Sequence, residues 1–278
     1  MSDNHYMLAA LDMDGTLLNS DHVTTPYTRD VIQRAADAGK WIALSTGRTR
    51  SELTGHLSVL PGVAFIIGES GGWICDLRQQ RTLRRLFLAA EDVTCIFEAL
   101  RGMEVVIQAF VDEISYVTAS DAAGFRRCHL QDFTGVFDTG SRYHPNVEGL
   151  CLSSPGRVGK INLYLAKPAD KARLANVLSG LSVAVTDSIG VGFEISPTQA
   201  TKALGLQCLC DAIGLPIGQT IAVGDGGNDV DIMTAAGFSV AMGNAIDEVK
   251  ALAKAITDDN DHDGCARALE KYLLNDQP

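Results

Sequence analysis

Apolar residues along this chain come in two rhythms. Met7-Leu8-Ala9-Ala10 is a short continuous run of the kind that forms a buried strand. After it, Thr25-Pro26 reads as a helix start, with threonine capping and proline in the first turn. Tyr27, Val31, Ile32, Ala35 and Ala36 then recur at helical spacing, and Gly39 ends the helix. Trp41 to Leu44 is a second strand. Leu53, Leu57 and Leu60 mark a second helix, broken by Pro61-Gly62, and Val63 to Ile67 is a third strand. Strands alternating with helices predict a parallel sheet with crossover helices. In such sheets ligands bind at the carboxyl ends of the strands, where Asp12 and Thr46 stand.

The alternation then changes. Trp73–Asp76 and Thr82–Leu86 predict a hairpin around a polar tip. A helix follows from about Ala89 to Leu100, then strands at Glu104–Phe110 and Ile114–Thr118. The stretch from Ser120 to Pro155 has no clear period. Lys160–Ala166 predicts a strand, Pro168–Leu178 a helix, and Val183–Thr186 with Gly192–Ile195 an adjacent strand pair. The parallel pattern resumes after Ser196-Pro197. A helix spans Thr201 to Ile213 and stops at Gly214, Thr220–Val223 is a strand, a helix carries Ile232, Met233 and Ala236, and Phe238–Ala241 is another strand. The chain therefore divides into an α/β core of residues 1–86 and 190–278 and an inserted α+β unit of residues 87–189.

Composition narrows the partners. The 278 residues are 46 % hydrophobic and 21 % charged, which is ordinary for a globular protein. The net charge is −11, and the basic clusters are only pairs, Arg84-Arg85 and Arg126-Arg127, which argues against nucleic acid or an anionic membrane as partner. No apolar run reaches spanning length, and the first residues lack the basic and apolar regions of a signal peptide. Seven scattered cysteines with no CxxC point to reduced thiols and a cytoplasmic location. Cys208 and Cys210 read as two positions along a helix rather than half of a zinc site.

The candidate chemistry begins at Asp12-Met13-Asp14-Gly15-Thr16, directly after the first strand. Residues two apart on a strand share a face, so both acids can point at one spot. Two such acids repel, and one pKa rises unless a cation lies between them; a hard divalent ion such as Mg²⁺ is the simplest partner. One carboxylate can then act as a nucleophile and the other as acid and base. Thr46, beside Gly47, can hold a phosphoryl oxygen with its hydroxyl and nearby amides. Lys202 stands near a helix start, where the macrodipole disfavours cations, which points to an anionic partner. Asp225, Asn228 and Asp229 share a tight glycine-containing loop, with Asp225 able to ligate a metal, Asn228 to donate to a phosphate and Asp229 to orient the lysine. Taken singly, these have plainer readings: an acidic turn, a helix N-cap, a solvated lysine, a glycine-rich loop. A dinucleotide loop is excluded, because GxGxxG needs glycine where Asp229 stands.

In this order the four pieces resemble the motifs of the haloacid dehalogenase superfamily. The nearer likeness is to its Cof-type phosphatases, which insert a large α/β cap between the second and third motifs. Asp12–Thr16 fits the first motif, Thr46-Gly47-Arg48 the second, Glu194-Ile195-Ser196-Pro197 leading to Lys202 the third, and Gly224–Asp229 the fourth. Glu69-Ser70-Gly71-Gly72, Met242-Gly243-Asn244-Ala245 and Thr257–Asn260 with Asp263-Gly264 extend the match to nearly the whole chain. Two departures stand out: Gln199-Ala200-Thr201-Lys202-Ala203 replaces the usual Gly-Val and Ser-Lys-Gly, and Ser70 replaces an asparagine.

The resemblance implies a Rossmann-like core with an inserted cap, and a Mg²⁺-dependent phosphatase acting on a small phosphorylated metabolite such as a sugar phosphate. Asp12 would be the nucleophile and Asp14 the acid and base. Asp12, Asp225 and the Asp14 backbone carbonyl would hold Mg²⁺. Thr46, Gly47, Lys202 and Asn228 would bind the phosphoryl group, with Asp229 orienting the lysine. In the cap, Arg126, Arg127, His129, Arg142, Tyr143 and His144 are the polar candidates for touching substrate. A phosphomutase would use the same motifs. A receiver-like signalling domain would use similar groups, but it lacks the cap and the second acid.

Overall fold

The computed structural model describes residues 6–120, 122–130, 137–138, 140–188 and 191–274. The chain forms two compact units. One holds Met1–Arg48, Gly55–Arg84 and Thr201–Pro278; the other holds Thr49–Thr54 and Arg85–Ala200.

The first unit is built on an eight-stranded sheet. Its strands are β1 (Leu8–Leu11), β2 (Trp41–Ser45), β3 (Val63–Gly68), β4 (Trp73–Asp76) and β5 (Arg81–Arg85), with three more from the end of the chain. In the second unit lie β6 (Val105–Val111), β7 (Ile114–Thr118), β8 (Ser141–His144), β9 (Val158–Leu165), β10 (Val183–Ser188) and β11 (Gly192–Pro197). The chain then returns with β12 (Thr220–Gly224), β13 (Phe238–Ala241) and β14 (Ala255–Ile256). The first sheet has the order β14-β13-β12-β1-β2-β3-β4-β5. It is parallel from β14 to β3, and β4 runs antiparallel beside β3. Every residue of β1, β3 and β12 is buried, which is why these strands read as unbroken apolar runs. β1 has β2 on one side and β12 on the other, so the strand order reverses at β1. That reversal opens a crevice beyond its carboxyl end.

Helices follow the predicted caps. Pro26–Asp37 starts with Thr25 as N-cap, whose hydroxyl accepts from the Thr28 N–H, and buries Thr28, Val31, Ile32 and Ala35. Tyr27, expected on the apolar face, is instead exposed and donates its hydroxyl proton to Glu270. The amphipathic nature of tyrosine allows either place. Lys202–Ile213 begins after Thr201, whose hydroxyl caps the Leu204 N–H, and ends at left-handed Gly214. Cys208 and Cys210 both lie along this helix.

The second unit carries a six-stranded sheet in the order β10-β11-β9-β6-β7-β8, antiparallel except where β7 meets β8. Alternate residues Ile107, Ala109, Val111, Ile161, Leu163, Leu165, Phe193 and Ile195 form one face of its core, packed with Val93, Ile96 and Phe97 from helix Ala90–Ala99 and with Leu174 and Leu178 from helix Pro168–Leu178. A smaller cluster gathers Val106, Val117, Phe125, Cys128, Leu130, Phe137 and Tyr164. The boundary at residue 190 drawn from the sequence differs from this division. β11 pairs with β9 and β10, so Gly192–Pro197 belongs to the inserted sheet and the core resumes at Thr201.

Candidate active site

The register of the parallel strands brings the site together. Leu11 stands opposite Leu44 of β2 and Val223 of β12, and the Asp12 N–H continues the ladder to the Val223 carbonyl at 3.0 Å. Asp12 is thus one residue past β1, Thr46 one past β2 and Asp225 one past β12. Three adjacent strand ends deliver three of the candidate groups.

Lys202 supplies the fourth. Its Nζ lies 2.6 Å from Asp12 Oδ1 and 2.6 Å from Asp229 Oδ1, and all three side chains are buried. Burial alone would lower the lysine pKa, but the charges of Asp12 and Asp229 outweigh it and raise it, so the ammonium stays charged. Asp229 is mostly committed: its Oδ2 accepts the N–H groups of Asp225 at 3.1 Å and Gly226 at 3.0 Å. It orients the lysine and ties down its own loop, which takes three of its roughly four lone-pair positions.

Asp12, Asp225 and Asp229 bring carboxylate oxygens within 4.8 Å of one another. One ammonium cannot offset three carboxylates. Burial pushes the Asp12 pKa up to about 8; Lys202 opposes this, and Asp229 and Asp225 add to it. Asp225 is also raised, chiefly by burial, although Thr16 Oγ donates to its Oδ1 at 2.7 Å. Such a set of hard, crowded oxygen donors fits a divalent cation. With Asp229 mostly engaged by Lys202 and its own loop, Asp12 and Asp225 have the more open carboxylates to hold it. Asp14 is outside this cluster. Its side chain is half exposed and is gripped by the Arg48 guanidinium, with Nη2 at 2.6 Å and Nε at 3.0 Å. This fork fixes the direction of Asp14.

Thr46 is buried, and its hydroxyl accepts the Arg48 N–H at 3.2 Å, so the hydroxyl proton remains available to a phosphoryl oxygen. It is not the cap of the following helix, which begins at Arg50. Gly47 continues this turn, and Asn228 is exposed at the rim of the β12 loop. The two side chains the sequence reading gave no role are Thr16 and Arg48. Both stand inside quoted motifs, but their partners Asp225 and Asp14 become evident only when the strand ends meet.

The inserted-unit candidates make local contacts. Arg126 and Arg127 are exposed at the end of helix Ala122–Arg127, and Arg127 pairs with Glu104. His129 is exposed at a φ of +61°. Arg142 and Tyr143 are exposed on β8; Tyr143 donates to Asp138 Oδ1 at 2.8 Å, and burial with this bond pushes its pKa up to about 12. His144 Nδ1 accepts the Asn146 N–H at 3.1 Å.

Residues 9–269 match the profile of the haloacid dehalogenase-like hydrolases. The chain belongs to this family. It is 29 % identical over 274 residues to the 5-amino-6-(5-phospho-D-ribitylamino)uracil phosphatase YitU of Bacillus subtilis (strain 168), covering 96 % of this chain and 97 % of that one. It is 27 % identical to the HMP-PP phosphatase of Yersinia pseudotuberculosis serotype O:1b, over 88 % of this chain and 86 % of the relative. Among solved structures, a haloacid dehalogenase-like hydrolase from Bacteroides thetaiotaomicron superposes with a TM-score of 0.83 at 28 % identity, covering 96 % of this chain and 99 % of that one. The subclass IIB sugar phosphatase BT4131, at 20 % identity and a TM-score of 0.78, shares the fold. The chain is thus an enzyme of the Cof-type branch, an α/β core with an inserted unit. Among the described residues, no helix is long and apolar enough to cross a membrane.

Proposed function

We propose that the protein is a Mg²⁺-dependent phosphatase that releases phosphate from a small phosphorylated metabolite through an aspartyl-phosphate on Asp12. One observation carries this reading: Lys202 bridges Asp12 and Asp229 at 2.6 Å each, beside Asp225. Asp12 Oδ attacks phosphorus, and the bond to the leaving oxygen breaks. Asp14 gives that oxygen a proton, then takes one from the water that attacks the aspartyl-phosphate and frees Asp12. Arg48 holds Asp14 in place for both transfers. Thr46, Gly47, Lys202 and Asn228 neutralise charge on the transferring group; fixed groups of this kind supply most of the rate in phosphoryl transfer. When bound by Asp12, Asp225 and the Asp14 carbonyl, Mg²⁺ supplies further compensation of negative charge at the phosphoryl group.

Relatives named as acting on a phosphorylated ribitylamino-uracil and on HMP-PP favour a compact ester as substrate, and a sugar or polyol phosphate fits that class. We assign its selection to the inserted unit, with Arg126, Arg127, His129, Arg142 and Tyr143 as the side chains to vary. Seven scattered cysteines with no CxxC favour a cytoplasmic setting. The test is phosphate release from a panel of phosphorylated sugars, polyols, nucleotides and small acids, with and without EDTA. Mg²⁺-restored release from one class supports the proposal. No release from any ester in Mg²⁺, or full release in EDTA, ends it.

A further inference from the structure

Two stretches, Met242–Ala245 and Thr257–Asn260, take no part in the chemistry above, yet they converge on the turn that carries it. Asn244 lies beyond the end of β13 and faces solvent. Its Nδ2 donates to the Gly15 carbonyl at 2.8 Å, and its Oδ1 accepts the Asn260 N–H at 3.1 Å. Both partners are backbone groups of fixed polarity, so the amide has one orientation. Asn260 Nδ2 in turn donates to the Leu18 carbonyl at 3.0 Å. The two stretches can meet because residue 243 is glycine: a Cβ there would lie 2.8 Å from Asp259 N and 3.0 Å from the Asp258 carbonyl carbon. The Gly243 N–H donates to the Asp258 carbonyl at 3.0 Å.

The opposite side of the same turn faces Asp225. Gly15 has a φ of +82°, and a Cβ on it would stand 2.4 Å from Asp225 Oδ2, while Thr16 Oγ donates to Asp225 Oδ1. Left alone, a glycine in this region is free to rotate its peptides. Here the peptide is held from two sides, by Asn244 on the Gly15 carbonyl and by Asp225 on Thr16. We infer that Asn244 is a positioning residue. It locks the Gly15 peptide, and through it sets Asp14 and Asp225 relative to Asp12. Its kinetic consequence rests on the phosphatase reading; its effect on cation binding does not.

The test compares Asn244→Ala, Asn244→Asp and Asn260→Ala. Asn244→Asp keeps the shape and the acceptor for the Asn260 N–H but has no donor for Gly15. Asn260→Ala keeps its own N–H to Asn244 and loses only the Leu18 contact. Mn²⁺ affinity is read by electron paramagnetic resonance on the full chain, and kcat, KM and Tm are measured alongside. Asn244→Ala should weaken Mn²⁺ about fivefold, the size of one solvent-facing hydrogen bond, and lower kcat several-fold with KM within about twofold. Asn244→Asp should lose kcat to the same degree. Asn260→Ala should lower Tm and leave Mn²⁺ affinity within about twofold of the unmutated protein. Wild-type Mn²⁺ affinity and kcat in Asn244→Ala would overturn the assignment, as would equal Mn²⁺ losses in Asn244→Ala and Asn260→Ala. If the unmutated protein hydrolyses no ester, the phosphatase reading fails, and the Mn²⁺ comparison alone decides the role of Asn244.

Discussion

Lys202 is the residue on which both stability and the proposed chemistry turn. A buried ammonium between two buried carboxylates is tolerated because it compensates both; removing the lysine leaves two buried carboxylates uncompensated. Lys202→Met should therefore abolish phosphate release and also destabilise the fold, by about 3–5 kcal/mol, measurable as a lower urea midpoint. Asp12→Asn should behave differently. It is isosteric and relieves repulsion among Asp12, Asp225 and Asp229, so turnover should vanish while the urea midpoint holds or rises. Residual turnover above about a thousandth of wild type would contradict the nucleophile assignment. At this scale the sequence was most informative about place: Asp12, Thr46 and Asp225 each stand one residue past a strand end, and Lys202 reaches Asp12. It was silent on the partners of Thr16 and Arg48. Arg48 could be quoted within its motif, but its fork on Asp14 requires β1 and β2 to be neighbours. Ser70 shows why a family pattern has the residue it has: its φ is +57°, a left-handed value that asparagine accepts more readily than serine.

Among the elements, the turn after β4 has a pH signature. Asp76 is buried, and its Oδ1 accepts the N–H groups of Arg78 at 2.9 Å and Gln79 at 3.1 Å. Burial raises its pKa, but the Arg78 side chain and these N–H groups outweigh it, and the net shift is downward. A carboxyl lowered in the folded state stabilises fully above its unfolded pKa, about 4, and loses that contribution as pH falls through the lower folded value. Asp76→Asn should cost about 1 kcal/mol at pH 7, kept modest because Arg78 is half exposed. The difference from wild type should shrink as pH falls toward 2. A gap in urea stability that stayed constant from pH 7 to pH 2 would show that the charge of Asp76 is irrelevant.

The acidic stretch near the C-terminal helix teaches the opposite lesson about reading elements. Asp259, Asp261, Asp263, Gly264 and Glu270 have the spacing of a calcium loop. Their carboxylates turn to separate neighbours instead. Asp259 caps its own turn, Asp261 takes Ser20, Asp263 takes Thr25 and Thr28, and Glu270 takes Tyr27 and Arg34. This is a clasp on the first helix. Asp263→Ala should lower Tm by several degrees, since two hydroxyls lose their acceptor, and millimolar Ca²⁺ should leave Tm unchanged. A Ca²⁺-dependent rise in Tm abolished by Asp263→Ala would mean the stretch binds the ion after all. Spacing along a chain does not state where side chains point.

For the whole molecule, alternation of strands and helices made the parallel core legible, and the glycine- and proline-bounded segments placed most of its strands. The order β14-β13-β12-β1-β2-β3 was not legible, because β12 reaches β1 only after the entire inserted unit, and nothing local to either strand records that pairing. The cysteines allow a test of this packing. Cys95 is exposed and Cys208 partly so, while Cys75, Cys128, Cys151, Cys210 and Cys265 are buried. Burial also pushes the thiols of Cys151 and Cys265 up to about 12 and that of Cys210 to about 11, so in the native protein they are protonated at neutral pH and poor nucleophiles. Titration with a disulfide reagent at pH 8 should show one fast thiol, a slower second, and five that react only through opening of the structure. Cys95→Ser should delete the fast phase alone. Denaturant should then release Cys75, Cys210 and Cys265 as one group and Cys128 and Cys151 as another if each unit opens cooperatively, and a fast native reaction at Cys265, whose buried thiol feels the charge of Asp12, would contradict the burial of this part of the core.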